Sequence, residues 1–336
     1  MLKLISRCAL AVAIAHSITL AHAHDTVTSA ISGVVAAGTK VELIKEGFTG
    51  TEGPLALPNG DFIFTETQAN RITKIAADGS ISTFLENTNG SNGLGFNAKG
   101  ELITVQVLET KVGVIYPQDK SRVLANSFEG KVFGRPNDLV VDKKGGVYFT
   151  DSGSNPQQNA QPPAARSDGL PTSPTATPAV YHISPDGKLQ RIADDIGRPN
   201  GIQLSPDEKT LYVANTNGEY ALAYDIDSNG NVKNRRDFAK LAGFDPQSTF
   251  YPKDNTTPNS GADGLAVDKD GRLFVASNSG VEVFSSKGES LGVIPVPKKP
   301  QNIAFAGADK KMLYIVGRGA AYKLATQTAG FKGRAK

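Results

Sequence analysis

One short pattern recurs six times along the chain: a polar turn followed by four or five strand-forming residues. The six copies are NGDFIFTE, AKGELITVQ, KKGGVYFTD, DEKTLYVAN, KDGRLFVAS and DKKMLYIVG. Their strands begin at Phe62, Leu102, Val147, Leu211, Leu273 and Leu313, separated by 40, 45, 64, 62 and 40 residues. Other short strands fill each repeat. The first reads Pro54–Leu57, Phe62–Thr65, Arg71–Ala76 and Ile81–Leu85, and the fifth Leu265–Val267, Leu273–Ala276, Val281–Phe284 and Leu291–Val296. Four β-rich segments in a repeat of about forty residues describe a propeller blade. A β-sandwich would not repeat at this period. The expected fold is therefore all-β, a six-bladed β-propeller with four-stranded blades.

A ring must close. The sixth repeat shows three strands, Ile303–Phe305, Leu313–Val316 and Ala320–Leu324, and Val41–Ile44 precedes the first repeat. Val41–Ile44 is expected to supply the missing outer strand, fastening the chain ends together and covering an edge. The two long repeats hold insertions: 154–178 carries six prolines and 243–260 carries three. Long irregular segments of this kind are functional covers or linkers, and a cover over one face of the ring is one reading.

The N-terminus is a separate unit. Lys3 and Arg7 precede a short apolar run that ends in Ala21-His22-Ala23, the pattern of a secretory signal peptide. His16 and Ser17 interrupt the run, which is too short for a permanent membrane anchor. The expected organisation is a signal peptide at 1–23, an extension at 24–40, the propeller at 41–325 and a tail at 326–336. The implied location is the periplasm or the exterior, with no membrane association after cleavage.

Composition then narrows the chemistry. The chain has one cysteine, four histidines and a formal net charge of +3. The charge is too small to suggest nucleic acid as a partner. Cleavage after Ala23 removes Cys8, His16 and His22, leaving His24 at the new terminus and His182 in an alternating strand. Cysteine nucleophiles and poly-histidine metal sites are thereby excluded. Asp142, Asp207, Asp268 and Asp309 fall in turns between first and second strands and are assigned no chemistry.

A small polar motif stands just before the innermost strand of each repeat: Glu52-Gly-Pro, Asn92-Gly-Leu, Asn137-Asp-Leu, Asn200-Gly-Ile, Asp263-Gly-Leu and Asn302-Ile-Ala. Each lies 10 or 11 residues before the second strand of its blade. Equivalent positions in a propeller are related by rotation about the channel, so six Glu, Asp or Asn side chains converge on one axis at one end. Oxygen donors of this mixture suit a hard divalent cation, with calcium the best fit. Zinc lacks its nitrogen and sulfur ligands. Single Asn-Gly and Asp-Gly pairs are also common turn dipeptides, and that reading stands beside the first.

With these motifs in order, the sequence resembles the SMP-30/gluconolactonase/luciferin-regenerating-enzyme family. The resemblance rests on Glu52-Gly-Pro, Arg135-Pro-Asn-Asp-Leu, Arg198-Pro-Asn-Gly-Ile with Leu204-Ser-Pro-Asp, and Asp263-Gly-Leu-Ala-Val-Asp. Tyr148-Phe-Thr-Asp, Gly280-Val-Glu-Val-Phe and Ile294-Pro-Val-Pro point within it towards bacterial gluconolactonases. It spans about Val41 to Leu324. The resemblance implies an axial divalent cation held by Glu52, Asn200 and Asp263, with Asn137 as a ligand or close neighbour. It also implies that Arg135 contacts substrate. Asn92 and Asn302 line the axis by spacing and join Arg135 and Asn137 as candidate substrate contacts. Related propeller esterases place a catalytic histidine late in the chain, where this one has Asn302.

The implied activity is hydrolysis of sugar-acid lactones such as glucono-1,5-lactone, with Asp263 as the base or orienter of the attacking water. The expected partner is a small-molecule lactone and the expected state a monomer. Two other readings use the same scaffold: a periplasmic ligand-binding propeller without hydrolase activity, and a phosphotriesterase-type hydrolase on the same metal.

Overall fold

The computed structural model describes residues 26–153, 177–247, 258–334 and 336. The expected signal peptide at 1–23 and most of both insertions lie outside the described residues. Six four-stranded antiparallel sheets carry the fold, arranged as the blades of a propeller. In chain order their inner strands are Thr51–Ala56, Ser91–Phe96, Pro136–Val141, Pro199–Leu204, Leu265–Val267 and Asn302–Ala306. The second strands begin within one residue of the positions expected from the repeat.

Burial follows strand position. Inner and second strands are sandwiched between neighbouring blades, so Phe62–Glu66 and Leu273–Ser277 are buried at every residue. A strand covered on both faces reads as a near-continuous apolar run. The outermost strand Ile81–Glu86 alternates towards solvent. Large side chains pack within and between blades: Phe149 stacks on Tyr181 inside blade 3 at 5.1 Å, and Phe274 of blade 5 meets Phe305 of blade 6 edge-on at the same distance. Each fully buried aromatic of this kind stabilises the fold by roughly 2–3 kcal/mol.

The ring closes as expected. Glu42–Glu46 pairs antiparallel with Ala320–Ala325 and becomes the outer strand of the sixth blade. Phe62 of blade 1 stacks on Tyr314 of blade 6 at 4.3 Å across the seam. Residues 26–40 do not stand apart: Ile31, Val34 and Val35 are buried in the apolar cluster of blades 5 and 6. The segment 326–334 lies across the ring at the end away from the candidate site, bonded in turn to Lys311, Lys269, Val267 and Ser205.

Candidate active site

Five of the six axial residues stand inside their inner strands rather than before them; only Asp263 precedes its own. The reason is a local break in the ladder. In blades 1 to 4 the inner strand loses register at this point, between Glu52 and Leu55, Ser91 and Leu94, Pro136 and Leu139, and Pro199 and Ile202. A bulge of this kind re-aims side chains that would otherwise face a neighbouring blade.

The glycine that follows the polar residue has a reason too. A Cβ on Gly53 would stand 1.9 Å from the Asn92 carbonyl oxygen, and one on Gly201 would stand 2.1 Å from that of Asp263. A Cβ on Gly93 would press on Asp138, and one on Gly264 on Asn302. Each glycine therefore lets one inner strand touch the polar residue of the next blade. The dipeptides are close-approach points on the axis, not turns. Threonines in or just after the second strands tie the same level together: Thr65 donates to the Asn92 carbonyl at 3.1 Å, Thr150 to that of Asn200 at 2.6 Å, and Thr216 to that of Ala262 at 2.7 Å.

Glu52 is buried and, among the described residues, accepts two amide hydrogen bonds, from Asn302 Nδ2 at 3.2 Å and Gln301 Nε2 at 3.3 Å. Burial pushes its carboxyl up to about 7; the Asp138 charge adds to this, and Asn302, Lys336 and Arg135 oppose it. Asp263 is held by its backbone, donating to the Ala276 carbonyl at 2.9 Å. Its pKa is raised well above the ordinary value by burial and by Glu52, against the pull of Lys299 and Arg318. The two axial carboxylates thus repel each other in a poorly hydrated place.

The amides leave oxygens open. Asn200 donates its Nδ2 to Thr216 Oγ1 at 3.1 Å, while its Oδ1 is buried without a partner. Asn137 Oδ1 and Asp263 Oδ1 are buried and unbonded in the same way. Unpartnered buried acceptors are costly, and three of them near a buried carboxylate have the chemistry that a hard cation takes. Among the described residues no three His, Cys, Asp or Glu side chains cluster to hold a metal; here amide oxygens make up half of the set.

The other expected residues divide. Asn92 Oδ1 accepts from Thr67 Oγ1 at 3.3 Å. Asn302 spends its carboxamide on Glu52 and on the Ile303 N–H, so it supports a carboxylate. Arg135 is anchored by its N–H on Asp151 Oδ1 at 2.6 Å, with its Nε buried and unbonded. His182 lies in the third strand of blade 3, stacked on Tyr148 at 4.2 Å and away from the axis. Asp142, Asp207, Asp268 and Asp309 each accept a backbone N–H in a turn.

Sequence reasoning missed Asp138, Lys299, Gln301, Arg318 and Lys336. The first was detectable, because Asp138 stands where four repeats have glycine. A cavity of about 900 Å³ opens at the opposite end of the ring, between first-to-second-strand turns and Lys332–Arg334. A smaller one of about 160 Å³ lies beside His182. Neither includes an axial residue.

A family model for the SMP-30/Gluconolactonase/LRE-like region matches residues 50–318. The gluconolactonase of Zymomonas mobilis is 30% identical over 323 residues, covering 89% of this chain and 85% of its own. A gluconolactonase structure from Xanthomonas campestris is 28% identical with a TM-score of 0.73, covering 90% of this chain and 94% of that one. Regucalcin from Agrobacterium tumefaciens, described as a calcium-binding protein, has the same fold at 17% identity and a TM-score of 0.64, covering 87% of this chain and 95% of its own. The chain belongs to the SMP-30/gluconolactonase/LRE-like family.

Proposed function

We propose that this chain is a divalent-cation-dependent lactone hydrolase acting on sugar-acid lactones such as glucono-1,5-lactone, with calcium as the cation that fits best. The observation that carries the reading is the axial set of Glu52, Asn137, Asn200 and Asp263. Their open or poorly satisfied oxygens stand at equivalent positions of four blades in a chain similar to gluconolactonases, which supports the reading. These four residues would hold the cation. Bound there, a divalent cation polarises a lactone carbonyl and stabilises negative charge on its oxygen.

The chain's own residues do the rest. Asp263 Oδ1, sealed from solvent and unbonded, orients the attacking water and takes its proton. Burial makes it a stronger base than an exposed aspartate. The water oxygen bonds to the carbonyl carbon, the ring C–O bond breaks, the ring oxygen leaves as a hydroxyl by taking back the proton held on Asp263, and the new carboxylic acid releases its own proton to solvent. Asn302 and Gln301 fix the Glu52 carboxylate. Arg135 and Asn92 hold sugar hydroxyls. Lys299 and Arg318, whose charge acts on Asp263, favour the carboxylate that hydrolysis creates.

Proton release from glucono-1,5-lactone, followed by pH-stat with and without chelator, tests the reading. Chelation and Asp263→Ala should each abolish catalysed turnover. Full activity in either case would overturn it. The basic, apolar and Ala21-His22-Ala23 segments at the N-terminus support export to the periplasm or beyond. N-terminal sequencing of the protein recovered from cells should then begin at His24.

A further inference from the structure

In four of the six repeats the residue after the axial side chain is glycine: Gly53, Gly93, Gly201 and Gly264. Blade 6 has Ile303, and blade 3 has Asp138. Asp138 is therefore the one carboxylate at this level, a single residue below Asn137 on the inner strand. It is fully buried, and a Cβ on neighbouring Gly93 would lie 2.5 Å from its Oδ1. Oδ1 accepts the Leu139 N–H at 2.9 Å, and Oδ2 is ion-paired to Lys336 Nζ.

Lys336 arrives from the far end of the ring. Thr328 Oγ1 donates to Asp268 of blade 5 at 2.9 Å. Lys310 Nζ of blade 6 donates to the Phe331 carbonyl at 3.1 Å. Arg334 pairs with Glu208 of blade 4 at 3.2 Å and donates to the Ser205 carbonyl at 3.1 Å. From there Lys336 enters the centre of the ring, with only 5% of its surface exposed. Three blades anchor the segment and the fourth receives its ammonium.

A buried ion pair contributes little net stability compared with apolar side chains of the same size. What this pair does supply is charge. Asp138 adjoins Asn137 on the inner strand, and its ion pair with Lys336 is buried, so both charges stand beside the axial set.

We propose that Lys336 is a tethered counter-cation of the axial site. It cancels Asp138, so that Glu52 and Asp263 alone present negative charge to a divalent cation. The inference rests on the cation reading above. Lys336 is on this account a positioning residue acting through charge, without contact to substrate.

The test is a charge ladder in the full-length protein: wild type, Lys336→Met, Asp138→Asn and the double variant. Calcium dissociation constants are measured by titration calorimetry, and metal-free melting is followed alongside. Lys336→Met leaves one more negative charge on the axis and should bind calcium about tenfold tighter. Asp138→Asn leaves the ammonium uncompensated and should bind about tenfold more weakly. The double variant, neutral like the wild-type pair, should return to within about threefold of wild type. If Lys336→Met does not fold, the Asp138→Asn and double variants still decide the matter. Equal dissociation constants across the folded variants, or weaker binding in Lys336→Met, would overturn the proposal; the first would leave a mechanical plug. Absence of calcium binding in the wild type would instead overturn the cation reading, and this inference with it.

Discussion

Glu52 and Glu101 are buried to nearly the same degree, at 8% and 5% exposure, yet their carboxyls are driven in opposite directions. Glu101 lies in the turn before Leu102–Gln106. It receives Arg122 Nη1 at 2.9 Å, Arg122 Nη2 at 2.7 Å and Asn97 Nδ2 at 2.7 Å. Those bonds, Arg122 first, hold its pKa down to about 2. Among the described residues Glu52 has two long amide contacts and no ion pair, and burial lifts it to about 7. Exposed surface alone therefore does not set the outcome: Glu52 lies deeper in the protein and desolvation dominates there, whereas Glu101 is held by its partners. The chain completes the environment of Glu101 with its own residues. It leaves that of Glu52 with two amide contacts, a set that the proposed cation would complete.

The sharpest way to break this contrast is to neutralise each glutamate. Glu52→Gln should reduce lactone turnover by at least about a hundredfold, the scale of losing one strong electrostatic contribution at a reacting carbonyl. Its metal-free stability should not fall, because a strained carboxylate is removed. Glu101→Gln should do the reverse, with normal turnover and a loss of about 1–2 kcal/mol by denaturant unfolding. The loss is modest because Arg122 is half-exposed and can rehydrate. Matching effects in the two variants would abolish the distinction.

The pH dependence of stability carries the same contrast with opposite signs. The native state of the metal-free protein holds a proton on Glu52 to about pH 7, whereas an ordinary glutamate releases it near 4.5. Stability from this group is complete below 4.5 and is lost as pH rises through 7, by on the order of 3 kcal/mol. The raised Asp263 adds to the same trend. Glu101 acts the other way: its stability is present above 4.5 and is lost as pH falls towards 2. Melting of the metal-stripped protein across pH 4 to 8 should show the downward slope, and saturating calcium should flatten it. A slope that survives in Glu52→Gln at full size would assign it elsewhere.

The ring and its axial residues were legible because rotation repeats them. Once Phe62, Leu102 and Val147 fall in register, Glu52, Asn92 and Asn137 must share a level, and Glu42–Glu46 must close the sixth blade. Residues outside the repeat were hidden for the same reason. Lys336 reaches Asp138 across about two hundred residues of chain, and Gln301 meets Glu52 at the seam between first and last blades. Periodicity carries no signal for such pairs. Sequence separates Glu52, ten residues before its second strand, from Glu101, which adjoins Leu102; what it does not show is that Arg122 and Asn97 close on Glu101.

The glycines adjoining Glu52 and Glu101 give the finest test of the comparison. Gly53 and Gly100 both have positive φ, at 49° and 72°, so alanine at either position costs about 1–2 kcal/mol of backbone strain. Beyond that they differ. A Cβ at Gly100 meets nothing within 4 Å, whereas one at Gly53 would collide with the Asn92 backbone of the next blade. Forcing that contact adds about 2 kcal/mol of overpacking, so Gly53→Ala should be the less stable variant by that difference in denaturant unfolding. It should also weaken calcium binding, because the collision lies on the strand that carries Glu52. Gly100→Ala should leave calcium binding alone. Equal costs would mean that the inner strands have room to spare at the axis, and the glycine after Glu52 would then be a turn residue like the one before Glu101.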